Sequence, residues 1–421
     1  MLSRRRQLLG KAYTLFYDNP VHIVRGEGVW LFDVDGRKYL DLYNNVPHVG
    51  HCHPHVVDAL CRQIGTLNTH TRYLHENVLD YADRLLGKFE GPLDLAMFCC
   101  TGSEANELAM RIARKHTGGT GFICTSVAYH GNSTATVEIT TSDIPTDELP
   151  GYIATVPVPD PYRGPYTGED AGACYAAHVH DAIDTLRERG VKPAAFIIDT
   201  IASSGGVVAP PPGYLSAVAD IVREAGALFI ADEVQPGFGR TGKKFWGYQA
   251  DNFIPDIVTM GKPMGNGHPL AGVVARSEVA EEFGKSGRYF NTFGGNPVSC
   301  AAGLAVLDVL EREKLQANAL AVGNYLVEGL QQLAEKHEAI GDVRGSGFFL
   351  ALELVEDRES KAPATIVTKR VVNDLRNRGL LTGSIGQGAN ILKLRCPMVF
   401  SQENADYALG IIDQSLAAAA S

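Results

Sequence analysis

Two short apolar runs, at 227–231 and 257–260, lead into ionisable side chains, Asp232 after the first and Lys262 after the second. Both runs have the length and composition of buried β-strands, and a charged group is costly beside a core. In a doubly wound α/β sheet the carboxyl ends of the parallel strands form one edge, and ligands bind there. A carboxylate and an amine at that edge predict a reaction centre built on Asp232 and Lys262.

The fold class follows from the alternation of strand-like and helical patterns between Leu93 and Met260, which predicts a large, mostly parallel, doubly wound sheet. A chain of 421 residues exceeds one typical core, so we expect two domains of unequal size. We place the large domain at 51–300. The smaller α/β domain is expected to combine 1–50 with 301–421.

The composition and charge of the chain indicate which partners it can bind and in which compartment we expect it. A net charge of −10 argues against nucleic acid or an anionic membrane as a partner, and no apolar run is long enough to span a bilayer. The 8 cysteines include no C-x-x-C pair, which is typical of thiols in a reducing compartment. Three arginines near the N-terminus, Arg4–Arg6, are not followed by the apolar segment of a signal peptide. We therefore predict a cytoplasmic protein.

A possible anion site follows the apolar run 93–100. Thr101 and Glu104 have the spacing of a helix capping box, and Gly102 and Ser103 lie between them. The exposed N–H groups of such a helix end also bind phosphate, so capping and anion binding are compatible interpretations. Further along, Tyr129 at a strand end could support a flat ligand, although a single tyrosine is more often a packing residue.

The loop 44–54 contains several histidines and Cys52, but their spacing fits no standard zinc site, and we predict no metal. The segment Gly237–Gly242 matches G-x-G-x-x-G. We reject a dinucleotide site there, because this segment neither follows its strand directly nor opens an amphipathic helix.

A phosphate-binding helix end, an aromatic platform, a strand-end aspartate and a lysine are the parts needed to hold pyridoxal 5′-phosphate. The motifs T-G-S-E-A-N, Y-H-G and F-I-A-D-E-V-Q-x-G-F-G-R-T-G, with a lysine thirty residues after the aspartate, resemble those of class III aminotransferases of fold type I across nearly the whole chain. The resemblance implies that the lysine, Lys262, forms the Schiff base and moves protons.

The same resemblance implies roles for the other residues. Gly102 and Ser103 would bind the cofactor phosphate, Tyr129 would stack on the ring, Asp232 would pair with the ring nitrogen, and Gln235 would lie near the ring hydroxyl. Thr292 would reach the cofactor phosphate of a neighbouring subunit, which implies a homodimer with shared active sites.

Segments such as N-N-V-P-H-V-G-H-C-H-P and Y-F-N-T-F-G-G-N-P are similar to those of the ethanolamine-phosphate and phosphohydroxylysine phospho-lyases. Many class III aminotransferases have a glutamate that pairs with a mobile arginine, where this chain has Ser203-Ser204-Gly205-Gly206. Arg395 would lack that partner, and the sequence leaves open whether it holds an anion permanently or is bound elsewhere.

The resemblance therefore favours a lyase that converts ethanolamine phosphate to acetaldehyde, ammonia and phosphate. Arg72, Arg163 and Arg395 are the candidate cations for the substrate phosphate. Two alternatives stay open. One is an aminotransferase for ω-amines or amino alcohols with a keto-acid acceptor, and the other is a non-catalytic protein that retains the cofactor site.

Overall fold

The computed structural model describes residues 1–285 and 287–420. Its central feature is a seven-stranded sheet with the strand order β4-β10-β9-β8-β7-β5-β6. The strands are β4 (Leu93–Cys99), β5 (Gly121–Thr125), β6 (Ile153–Val156), β7 (Pro193–Asp199), β8 (Leu228–Asp232), β9 (Ile257–Met260) and β10 (Ala271–Arg276). The strands from β9 to β6 are parallel to one another. The predicted doubly wound sheet is thus confirmed.

One strand of this sheet, β10, has no counterpart in the sequence-based prediction. It lies between β4 and β9 and runs antiparallel to both. Its first five residues, 271–275, are small or branched and apolar, and all five are buried, while Arg276 at the end is partly exposed. A short apolar run of this kind, which follows a glycine-rich loop, does not reveal its direction in the sheet.

Helices pack against the sheet and beside its strand ends. They are α2 (Pro54–Ile64), α3 (Glu76–Leu86), α4 (Gly102–Thr117), α5 (Thr134–Val137), α6 (Ala171–Glu188), α7 (Tyr214–Glu224), α8 (Ser277–Lys285) and α9 (Pro297–Arg312). Short 3₁₀ turns occur at Thr146–Glu148, Gly247–Ala250 and Lys262–Gly265. Apolar side chains recur along α4 and face the sheet, which buries Leu108, Ile112 and their neighbours.

Two smaller sheets are formed by strands from the N-terminal and C-terminal parts of the chain. The first has the order β1-β2-β3-β13 and consists of β1 (Ile23–Glu27), β2 (Trp30–Asp33), β3 (Lys38–Asp41) and β13 (Leu380–Leu381). The second has the order β11-β12-β15-β14 and consists of β11 (Ile340–Ser346), β12 (Phe349–Leu354), β14 (Gly383–Ile385) and β15 (Ile391–Leu394). Because β3 pairs with β13, the N-terminal meander and the C-terminal region share one sheet.

The remaining helices are α1 (Leu2–Leu9), α10 (Leu315–Lys336), α11 (Thr365–Arg378) and α12 (Gln402–Ala420). Helix α1 buries none of its residues. Within the described residues, no helix has the length and apolar character that a bilayer crossing requires.

Candidate active site

The carboxyl ends of β7 and β8 place two aspartates side by side, since Asp199 pairs in register with Asp232. Asp232 is buried and held by three donors: Asn106 Nδ2 at 2.8 Å, His130 Nδ1 at 2.7 Å and the backbone N–H of Val234 at 3.0 Å. Asp232 is therefore a buried carboxylate with a fixed orientation.

Lys262 begins the 3₁₀ turn directly after β9, so its side chain starts from the same edge of the sheet as Asp232. Its amine makes no hydrogen bond to any residue that the structure describes. Burial lowers the pKa of Lys262, and the positive charge of Arg395 lowers it further, while Asp232 and Asp199 act in the opposite direction. A lysine with a lowered pKa accepts a proton more readily near neutral pH.

A cavity of about 300 Å³ brings these groups together. Its lining includes Lys262 and Asp232 together with Gly102, Ser103, Tyr129 and Gln235. Thr292, Arg72, Arg163 and Arg395 are not among its lining residues.

The N-terminus of α4 forms one end of this cavity. The predicted capping box is confirmed, because Thr101 Oγ1 accepts from the N–H of Glu104 and the Glu104 carboxylate accepts from the N–H of Thr101. A side chain at Gly102 would meet Val234 at 3.0 Å, and one at Gly131 would meet Ser103 Oγ at 2.6 Å. Bare backbone is thus required on two sides of the helix end, which leaves the positive end of α4 open to an anion.

The loop that contains Thr292 is tied to the same helix end. Asn291 Nδ2 donates to Glu104 Oε1 at 3.0 Å, and the N–H groups of Phe293 and Gly294 donate to Asn291 Oδ1. Thr292 itself is exposed on this loop. Its side chain is therefore free to face another molecule beside the N-terminal end of α4.

Arg395 is buried behind the cavity and bound to Gln235. Its Nη1 donates to Gln235 Oε1 at 2.8 Å, and its guanidinium lies 5.0 Å from the centroid of the Tyr43 ring. The opposite end of the Gln235 amide, Nε2, donates to Ser203 Oγ, which in turn donates to Asp199. The side chain of Gln235 therefore links the Arg395 cation, through Ser203, to the Asp199 carboxylate.

The other two candidate cations lie elsewhere. Arg163 forms an ion pair with the fully buried carboxylate of Glu353 on β12, far along the chain. Arg72 is exposed, and its guanidinium lies 3.8 Å from the centroid of the Phe290 ring. The structure thus brings Arg395 next to the cavity residue Gln235, whereas Arg163 is engaged by a buried partner.

The histidines of loop 44–54 and its continuation diverge to separate partners. His48 binds the Phe238 carbonyl at 2.8 Å and receives a hydrogen bond from Arg240, while His51, His53 and His55 bind Asp41, Glu313 and Asp308. Among the residues described, no three His, Cys, Asp or Glu side chains are grouped to hold a metal ion.

The chain matches the sequence profile of the family described as aminotransferase class-III over residues 14–416. It belongs to that family. A mitochondrial alanine–glyoxylate aminotransferase 2 homolog 2 of Arabidopsis thaliana is 44% identical over 99% of this chain and 87% of its own length. An ethanolamine-phosphate phospho-lyase homolog 1 of Caenorhabditis elegans is 39% identical over 99% and 93% of the two chains.

The chain is also similar to a solved class III structure, a phospholyase from Arthrobacter in complex with phosphoethanolamine. The two are 46% identical, with a TM-score of 0.95 over 99% of both chains. As a class III enzyme of fold type I, the protein uses pyridoxal 5′-phosphate. The cavity fits that cofactor, since it combines an open helix end, a Tyr129 ring that is 41% exposed, an oriented carboxylate and a lysine without a hydrogen-bond partner.

Sequence reasoning missed two residues of this class III site. Asn106 donates to both Asp232 and the His130 carbonyl and accepts from Thr259 Oγ1 at 2.6 Å, so it fixes the aspartate from the side of α4. His130 holds the same carboxylate through Nδ1, while its buried Nε2 has no hydrogen-bond partner among the residues that the structure describes. Asn106 could have been noticed because it is a polar residue on the apolar face of α4.

Proposed function

We propose that this class III enzyme is a phospho-lyase that eliminates phosphate from a primary amine with a phosphate ester on the adjacent carbon. Ethanolamine phosphate is the first choice of substrate. The observation that carries the proposal is the position of Arg395. Its guanidinium is bound to the Gln235 amide, with no carboxylate partner among the described residues, so it is a cation held permanently beside the reaction centre.

A fixed cation favours elimination over transamination for a physical reason. An aminotransferase accepts two different substrates in turn and gains from an arginine that moves aside. A lyase needs stabilisation of one departing phosphate, and a preorganised charge provides it without reorganisation. The likeness to the Arthrobacter phospholyase supports the same conclusion.

Bound pyridoxal phosphate supplies the electron sink that lets the carbon next to the amine lose a proton. Lys262, whose pKa is lowered by burial, accepts that proton. Asp232, held by Asn106 and His130, is the residue that would pair with the pyridine nitrogen of the cofactor. The bond between the adjacent carbon and the ester oxygen then breaks, phosphate leaves, and water converts the remaining product to acetaldehyde and ammonia.

The experiment that tests the function is a phosphate-release assay with ethanolamine phosphate and with phosphohydroxylysine, each without any keto acid. Release under these conditions supports a lyase. A strict requirement for pyruvate or 2-oxoglutarate would assign the chain to the alternative, an aminotransferase for ω-amines or amino alcohols. That alternative is favoured by the name of the Arabidopsis relative.

A homodimer with shared active sites is part of the proposal. Around the loop that contains Thr292, large apolar side chains face solvent: Leu74 is 96% exposed, Phe293 68% and Tyr73 66%. An exposed apolar patch of this kind is typical of a subunit interface. Light scattering of the purified protein measures the assembly.

We keep the cytoplasmic location as a proposal, to be tested by fractionation, because the Arabidopsis relative is named mitochondrial.

A further inference from the structure

Lys393 is a second buried lysine beside the active site, and neither the mechanism nor the sequence motifs account for it. It lies on β15, two residues before Arg395, so both side chains point to the same face of the strand. Lys393 is only 4% exposed. Its Nζ lies 3.4 Å from Gln235 Oε1, the atom that also accepts from Arg395.

No carboxylate among the described residues forms a hydrogen bond or an ion pair with Lys393. The titratable groups whose charges act on it are Arg395 directly after the same strand, Asp199 at the end of β7, and Lys262 after β9. Asp199 accepts hydrogen bonds from Ser203 and from the N–H of Ile201. The one carboxylate that acts on Lys393 is thus bound by other donors, while Arg395 and Lys262 oppose the charged form of Lys393.

Arg395 likewise has few anionic neighbours that could also neutralise Lys393. The groups that favour its charged form are Tyr43, Asp41 and Asp199. Asp41 is itself paired with His51, its Oδ2 lying 2.7 Å from His51 Nε2. An ammonium group without a counter-ion is costly in such surroundings and gives up its proton instead. Burial, together with Arg395, accordingly lowers the pKa of Lys393 well below its ordinary value of 10.5.

We propose that Lys393 compensates the charge of the substrate: its Nζ takes a proton from solvent when an anionic group enters beside Gln235, and returns it when that anion leaves. This inference rests on the proposed function, because it assumes that an anion binds on the Arg395 side of the cavity. No other bond forms or breaks in this step.

The two cations also indicate which class of anion binds. Arg395 alone balances one negative charge, as on a carboxylate. A second cation that forms on binding balances two, as on the dianion of a phosphate monoester. The pair Lys393 and Arg395 therefore selects doubly charged groups over singly charged ones, since a carboxylate is balanced by Arg395 alone and gains nothing from protonation of Lys393.

Sulfate is the probe that tests this step, because it stays doubly charged between about pH 6 and 9 and cannot be eliminated. Its binding to the cofactor-loaded enzyme is measured by titration calorimetry in two buffers with different heats of ionisation, which counts the protons taken up. We expect uptake approaching one proton per site, and an affinity that falls as pH rises.

Two variants separate the charge from its protonation. Lys393→Met is expected to abolish the uptake and weaken sulfate binding about tenfold, the loss of one charge-assisted hydrogen bond. Lys393→Arg carries a permanent charge and is expected to bind sulfate without proton uptake. If the methionine variant does not fold, the Lys393→Arg variant alone tests the proposal. Lys243→Met, at an exposed lysine, is the matched control and is expected to behave as the wild type.

The inference is overturned if the wild type does not bind sulfate, binds it without proton uptake, or keeps its uptake in both Lys393 variants. Failure of the proposed function has a different signature. In that case ethanolamine phosphate releases no phosphate without a keto acid, while the Lys393-dependent proton uptake with sulfate is unaffected.

Discussion

Replacing Arg163 by methionine tests whether this arginine stabilises the fold or binds the substrate. Arg163 is paired with Glu353, a carboxylate with no exposed surface, and its own N–H donates to Asp160 Oδ1 at 3.1 Å. Arg344 approaches the other oxygen of Glu353 at 2.7 Å. We therefore expect the variant to lose stability and to keep its affinity for substrate.

The size of the effect follows from this geometry. Leaving a buried charge without any partner costs about 3 to 5 kcal/mol, and a hydrogen bond to a charged group contributes about 1.5 to 3 kcal/mol. Glu353 keeps Arg344 as a partner after the substitution, and the Arg163 side chain is 32% exposed, which weakens its pairing by solvent screening. The smaller range applies, and we expect a loss of about 2 kcal/mol in the free energy of unfolding.

Two measurements check this prediction: the urea concentration at the unfolding midpoint, and KM in the phosphate-release assay. Arg163→Met is expected to lower the midpoint and to change KM by less than about twofold. Arg395→Met is the comparison, and is expected to lower kcat/KM about a hundredfold, or roughly 2.7 kcal/mol, through the lost substrate contact. The reasoning is refuted if Arg163→Met leaves the midpoint unchanged and raises KM as strongly as Arg395→Met does.

Three further predictions concern the reaction centre. Lys262→Ala should reduce phosphate release by about 10⁴-fold or more, measured on protein that retains its fold by circular dichroism; activity near the wild-type level would exclude this lysine as the base. The Lys262 amine is free only when substrate is bound, and burial lowers its pKa below 10.5, so kcat, which reports the enzyme–substrate complex, should level off well before pH 10.5; a kcat profile that still rises there contradicts the assignment. Thr292→Ala should weaken cofactor binding. When this variant is refolded together with Lys262→Ala, the mixed dimers should regain activity, because one of their two sites then has both native residues. A lack of restored activity argues against shared sites.

Local patterns were sufficient to predict the strands that build the reaction centre. The strand 257–260 was predicted with its observed bounds, and the run 227–231 was shifted by one residue, because β8 includes Asp232 itself. Buried parallel strands are short, continuous apolar runs, and a polar residue at their end is conspicuous.

Contacts between distant parts of the chain could not be predicted in this way. The partner of Arg163 is Glu353, 190 positions away, and nothing near either residue indicates the pairing. Nothing near Lys393 in the sequence indicates that it is buried, whereas all four residues of β15 are buried and the strand lies between β12 and β14 in its sheet. A cationic residue in a strand is predicted to be exposed unless the elements that cover the strand are known.

The Gln235 amide explains how the proposed substrate-binding cation is held beside the strand end that carries Asp232. Its Nε2 needs an acceptor and finds one in Ser203, and its Oε1 is then free to receive Arg395. A carboxylate in place of the Ser203 hydroxyl would compete with this amide for the guanidinium, and a cation with two alternative partners can move between them. The hydroxyl carries no negative charge, so Gln235 retains Arg395. In the proposed reaction Lys262 removes the proton, and the short side chain of Ser203, after the end of β7, keeps a positive charge in place for the leaving phosphate.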